Sequence, residues 1–227
     1  MKEINIKYIE ENYLEFEEVL KLTNFSPDKL NQLIADKIIP GPSYVIDSEV
    51  RISSSLNDNH KIISSKKYFA KNILELIKDS SEKSYENLKE DFKQNLLSIL
   101  KKHNHRKFAY GNVFDENDEI NLEKTNELLE EEWDYFCKGV YGICTLFNNE
   151  NAIIKKEIII KRILDFIANK DLLAITEHEN YLKELNVELN KSTSLFAPYQ
   201  RETSSRGKYL DKLLEEYTLT DLIKRYD

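Results

Sequence analysis

Four prolines and five glycines are all that punctuate the 227 residues, and three of those nine stand together as Pro40-Gly41-Pro42. A chain so poor in breakers is free to run in long helices, because neither proline's missing N–H nor glycine's backbone entropy interrupts them. Where breakers cluster, they set a direction. Pro40 ends a helix and biases Ile39 toward an extended conformation, and Pro42 does the same to Gly41. Gly41, between two φ-restricted residues, is free to adopt positive φ. The stretch is expected to fix the angle at which the chain leaves a helix and to turn Tyr44 back onto the helical part.

The segments before it read as two helices. In "ENYLEFEEVLKLTN" Asn12 can cap a helix carrying Glu15, Tyr13, Phe16 and Leu20 at helical spacing. In "SPDKLNQLIADKII" Ser26 is the cap, Pro27 the first helical residue, and Asp28 sits at the positive dipole end. Behind the Pro-Gly-Pro stop, "SYVIDSEVRISS" alternates about the polar Asp47-Ser48-Glu49 and reads as a small hairpin. Helix, turn, helix and hairpin is the order of a winged-helix module, similar to the opening of MerR-type or excisionase-type DNA-binding domains. The rest is helical: "SKKYFAKNILELIKDS", "SYENLKEDFKQNLLSILKKHN", a helix from about Leu122, "AIIKKEIIIKRILDFIA", "TEHENYLKELNVELN" with a Thr176/Glu179 capping box, and "SSRGKYLDKLLEEY". One long loop, "KFAYGNVFDENDEIN", interrupts them. The expected fold is mostly α: a winged-helix-like module over residues 1–60 and an α-helical domain over 61–227.

Charge and cysteine content limit the function. Residues 1–60 carry 6 Lys+Arg against 11 Asp+Glu, so their net of −5 opposes a phosphate backbone. Residues 61–107 are net +6 and residues 108–150 net −9, opposite blocks that suit facing surfaces. Nucleic acid is therefore an unfavoured partner. No secretory leader and no long apolar run appears, which points away from membranes, and two cysteines without a second pair fit a reducing, cytoplasmic setting. No metal or cofactor is expected. "EHENY" lacks the second His of a zincin, and "DENDEINLEKTN" has Ile120 where a calcium loop needs Gly. His103-Asn104-His105 suits metal only on a strand. Phosphate loops, nucleophile elbows and dinucleotide fingerprints are absent, and "GVYG" at 139–142 is too short to mark an RNA-binding loop.

Two stretches carry chemistry. "EEWDYFCKGVYGICTLF" holds the only Trp, and its aromatics are core residues or a pocket wall built from Trp133, Tyr135 and Tyr141. "FAPYQRETSSRGKYLD" brings Arg201, Glu202, Ser204, Ser205 and Arg206 together ahead of a helix start, in a chain that otherwise prefers lysine. Guanidinium forks and free helix-start amides would hold an anion; the alternative is a structural Arg–acid clamp. Together with "IIPGPSY", these stretches make residues 12–217 resemble a bacterial family, domain of unknown function 6058, whose members are often labelled natural product biosynthesis proteins. The resemblance implies an accessory or ligand-binding protein of specialised metabolism and carries no catalytic residue. Two alternatives stand beside it: a DNA-binding regulator using the N-terminal helices, and an enzyme acting on an anionic or carrier-bound substrate at residues 201–206.

Overall fold

The computed structural model describes residues 3–80, 83–103, 113–117, 119–170 and 175–226, with side chains left aside at 175–177. The fold is mostly α, with one three-stranded antiparallel sheet in the order β1-β3-β2. Helix α1 (Ile4–Asn12) opens on Glu3, whose carboxylate accepts from the Asn5 and Ile6 amides. It is followed by β1 (Tyr13–Glu15) and α2 (Phe16–Thr23). The helix expected from Asn12 thus starts only at Phe16, its first residues forming β1, and Asn12 instead closes α1 by donating from Nδ2 to the Tyr8 carbonyl at 2.8 Å. The physical reason is tertiary: Tyr13, Leu14 and Glu15 pair with Ala70, Phe69 and Tyr68, and that pairing outweighs local helical spacing. Helix α3 (Pro27–Ala35) starts as its sequence predicts, with Ser26 Oγ accepting from the Lys29 amide.

The hairpin is larger than its sequence suggests. Strands β2 (Tyr44–Ser53) and β3 (Asn59–Ala70) pair continuously from Tyr44↔Tyr68 to Ser53↔Asn59. Asp47-Ser48-Glu49, expected as the turn, lies in mid-strand. The real turn spans 54–58, where Asp58 accepts from the Ser54 amide and hydroxyl and Asn57 takes a left-handed φ of 59°. Residue 60 lies inside β3, and residues 65–70, expected as helix, complete that strand. Helix α4 is correspondingly short (Ile73–Ser80).

The helical body follows: α5 (Tyr85–Lys102), α6 (Leu122–Cys137), the single turn α7 (Tyr141–Cys144), α8 (Glu150–Asn169) and α9 (Ile175–Ser192). Helix α8 is its spine. Ile153, Ile154 and Ile158 pack into a core with Phe92, Leu96 and Trp133, while Ile159, Ile160 and Ile163 enter a second core with Leu182, Leu185 and Leu210. A helix lying between two cores is apolar on more than one face. The side chain of Thr176 in the expected capping box, residues 107–112 and 118 of the loop, and His105 fall outside what is described. Helix α10 (Pro198–Arg201), a π segment (Arg206–Asp211), α11 (Lys212–Glu216) and a 3-10 turn (Thr220–Leu222) end the chain. Among the described residues no helix is long and apolar enough to cross a membrane.

Pro40-Gly41-Pro42 docks the N-terminal elements on this body backbone to backbone. The Gly41 amide donates to the Cys137 carbonyl at 2.8 Å, and Ser43 Oγ donates to the Gly139 carbonyl at 3.0 Å. Positive φ falls not on Gly41 but on its partner Gly139, at 77°, where a Cβ would stand 2.4 Å from the Gly41 oxygen. The glycines of "GVYG" therefore admit close approach of the segment that joins α3 to β2. Tyr44 is buried, its ring edge-on to Tyr13 and its hydroxyl donating to Gln200 Oε1 at 2.7 Å.

Candidate functional site

Residues 201–206 line or underlie a cavity of about 600 Å³ whose wall includes Arg201, Glu202, Asp211, Lys212 and Arg225. Its position follows from close packing: Gly207 lies so near the α10 terminus that a Cβ there would overlap the Arg201 carbonyl, 1.9 Å away. The π segment then carries Asp211 under Arg201. Arg201 Nε and Nη2 donate to the two Asp211 oxygens at 2.7 and 2.9 Å, and Nη1 donates to the Leu195 carbonyl at 2.9 Å. Both side chains are almost wholly buried, at 6% and 5% exposure. This is the two-point fork for which Arg is suited, satisfied from within the chain.

Arg206 points inward as well and is 1% exposed. It donates from Nη1 to Thr193 Oγ1 at 3.1 Å and from Nη2 to Asn190 Oδ1, while Nε has no partner among the described residues. Burial and the Arg201 charge press its pKa down to about 10. Ser204 also turns to the backbone: its Oγ donates to the Arg201 carbonyl and accepts from the Gly207 amide, whereas Ser205 makes no side-chain cap bond. Glu202 is exposed. The stretch thus forms a clamp, with both guanidinium groups engaged inside the protein.

The aromatic stretch divides. Tyr135 lies on the exposed side of α6, donating to Glu131 Oε1 at 2.9 Å. Tyr141 is buried and donates to the Glu132 carboxylate, whose pKa burial pushes up to about 7. Neither lines a described cavity. Trp133 does. With Ile38, Pro40, Leu76, Leu88, Phe92 and Phe136 it lines a cavity of about 310 Å³ between α4, α5, α6 and the start of α8. Its ring lies against Phe92 and Phe136, at centroid distances of 5.3 and 5.4 Å, and its Nε1 donates to Tyr85 at 3.3 Å. The indole's polar edge is therefore satisfied.

The rest of this cavity wall is polar. Asn149 caps α8, its Oδ1 accepting from the Ala152 amide at 3.0 Å, and Asn95 Nδ2 donates to Glu150 at 3.2 Å. Lys83 is paired with Asp91 at 2.7 Å. Asn148 is 2% exposed, and its side-chain Oδ1 has no hydrogen-bond partner among the described residues. Glu75 and Asp79 stand one helical turn apart on α4. These polar residues come from three separate stretches, and no local spacing ties them together. The one local hint is the run Asn148-Asn149-Glu150 ahead of an apolar helix, which announces a cap but not a cavity.

No curated protein and no solved structure matches the chain. A family model does, over residues 88–218, a narrower span than the 12–217 of the resemblance. That span contains the Trp133 floor, Asn148 and the Arg201–Asp211 clamp, while the α4 wall and the hairpin lie outside it. With more than half of its length covered, the chain belongs to DUF6058, a family of unknown function.

Proposed function

We propose that the protein is an accessory protein that binds a small molecule in the Trp133 cavity. One observation carries the reading: a buried amide oxygen, Asn148 Oδ1, is left without a partner among the described residues, in the wall of a cavity floored by aromatic and aliphatic side chains. A buried acceptor left unmade costs about 1–3 kcal/mol, and a ligand donor would recover it. An apolar floor with a few convergent polar groups, in a volume near the lower end of ligand sites, is the usual make-up of a binding pocket. Natural product biosynthesis, the setting implied by the family resemblance, belongs to the same proposal.

A metabolite panel followed by thermal unfolding tests the reading. A ligand at 100 times its Kd stabilises by about 2.7 kcal/mol, or roughly 5–10 °C for a chain of this size. A panel in which no compound raises the melting temperature counts against it. A second reading, an anionic ligand or substrate at the larger cavity, is favoured by Lys212 and Arg225 on its wall. Against it stand the engagement of Arg201 by Asp211 and the pairing of Arg225 with Glu215 at 3.0 Å. The winged-helix reading draws on the order α2, α3, hairpin, and the net −5 of residues 1–60 opposes its use on DNA.

A further inference from the structure

We propose that the ligand of the Trp133 cavity is an organic cation: an ammonium group on a compact apolar body. The inference rests on the reading that this cavity binds a small molecule, and adds the ligand's charge. Among the described residues, four carboxylates and a single ammonium line the cavity, and that ammonium, Lys83, is consumed by Asp91. Glu75 and Asp79 make no ion pair among the described residues. Asn148 Oδ1, buried and unpartnered, accepts and cannot donate, so it too asks for an N–H.

Helix dipoles are the competing influence, since α4 and α8 both present N-terminal turns to this region and an N-terminus favours anions. Each already has its own carboxylate in the first turn, Glu75 on α4 and Glu150 on α8. Asp79 lies in the last turn of α4, where the dipole is negative and adds to the carboxylate. The balance at the rim therefore favours positive charge. Below it, Leu76, Phe92, Trp133 and Phe136 offer only apolar contact, which suits an apolar body, and among the described residues no three acids, His or Cys stand together to hold a bare metal ion.

Three probes of one shape separate charge from burial: phenethylammonium, 2-phenylethanol and phenylacetate. Trp133 is the chain's only tryptophan and lines the cavity, so its emission reports occupancy. Phenethylammonium is expected to change that emission saturably, more tightly than either other probe and less tightly as salt rises. Exchanging both exposed acids (Glu75→Gln with Asp79→Asn) should weaken it roughly five- to tenfold and leave 2-phenylethanol unchanged. If 2-phenylethanol or phenylacetate binds as well as the amine, or the double variant keeps the amine's affinity, the cationic class is overturned while the cavity stands. If none of the three alters Trp133 emission, the inference falls, and a metabolite panel that still raises the melting temperature leaves the binding reading in place.

Discussion

Replacing Asp211 by Asn keeps the shape of the buried clamp and removes its negative charge. In the native protein Arg201 places two of its three hydrogen bonds on that carboxylate, with both side chains about 5% exposed. After the exchange the guanidinium stays buried with the Leu195 carbonyl and one amide oxygen, an uncompensated charge in a poorly hydrated site. Breaking a pair of this kind by removing one partner costs about 3–5 kcal/mol. At 2–4 °C per kcal/mol, the melting temperature should fall by roughly 6–20 °C. Replacing both partners together, Arg201→Met with Asp211→Leu, should recover most of the loss, because the desolvation cost of both ions disappears with their attraction. Urea unfolding of the wild type, Arg201→Met, Asp211→Leu and the double variant measures the coupling directly. An Asp211→Asn variant within about 1 kcal/mol of wild type, or a double variant as unstable as the sum of the singles, would refute the clamp.

Arg206→Lys keeps the charge but loses the fork onto Thr193 and Asn190, and should destabilise by about 1–3 kcal/mol in the same unfolding assay. Gly139→Ala forces an L-residue to positive φ and drives a Cβ against the Gly41 carbonyl; a loss of about 2–4 kcal/mol is expected by thermal unfolding. Glu132, with its folded pKa raised from 4.5 to about 7, favours the native state while protonated. That stability is fully present below pH 4.5 and is lost as pH rises through about 7, a change of about 3 kcal/mol that Glu132→Gln should flatten in a pH series of urea midpoints.

Elements whose signals are local were legible in the sequence. Ser26-Pro27-Asp28 announced α3, and the apolar periodicity of residues 150–169 announced α8, because caps and stripes act within a turn or two. The hairpin was legible only in part. Most of β2 and β3 is exposed on both faces, so alternation marks only parts of them, and polar mid-strand residues imitate a turn. Tyr68 and Phe69 look helical beside "KNILELIKDS" yet belong to a strand, since their partners lie more than fifty residues away on β1. At the site, the two arginines stood out by composition, but their inward direction depends on Gly207 and on a π segment that brings Asp211 beneath Arg201. The Trp133 cavity was legible only through its tryptophan. Its polar wall joins residues from α4 to α8, and an unpartnered amide has no sequence signature.

The central claim, that the Trp133 cavity is a binding site, is tested most directly by filling it. Leu76→Phe adds volume from the α4 wall without touching the polar rim, and the fold should tolerate the change because Leu76 is only partly buried. Ligands that raise the melting temperature of the wild type and shift Trp133 emission should do neither in this variant, whose own unfolding remains cooperative. A folded Leu76→Phe protein that binds the same ligands with unchanged affinity would contradict the account.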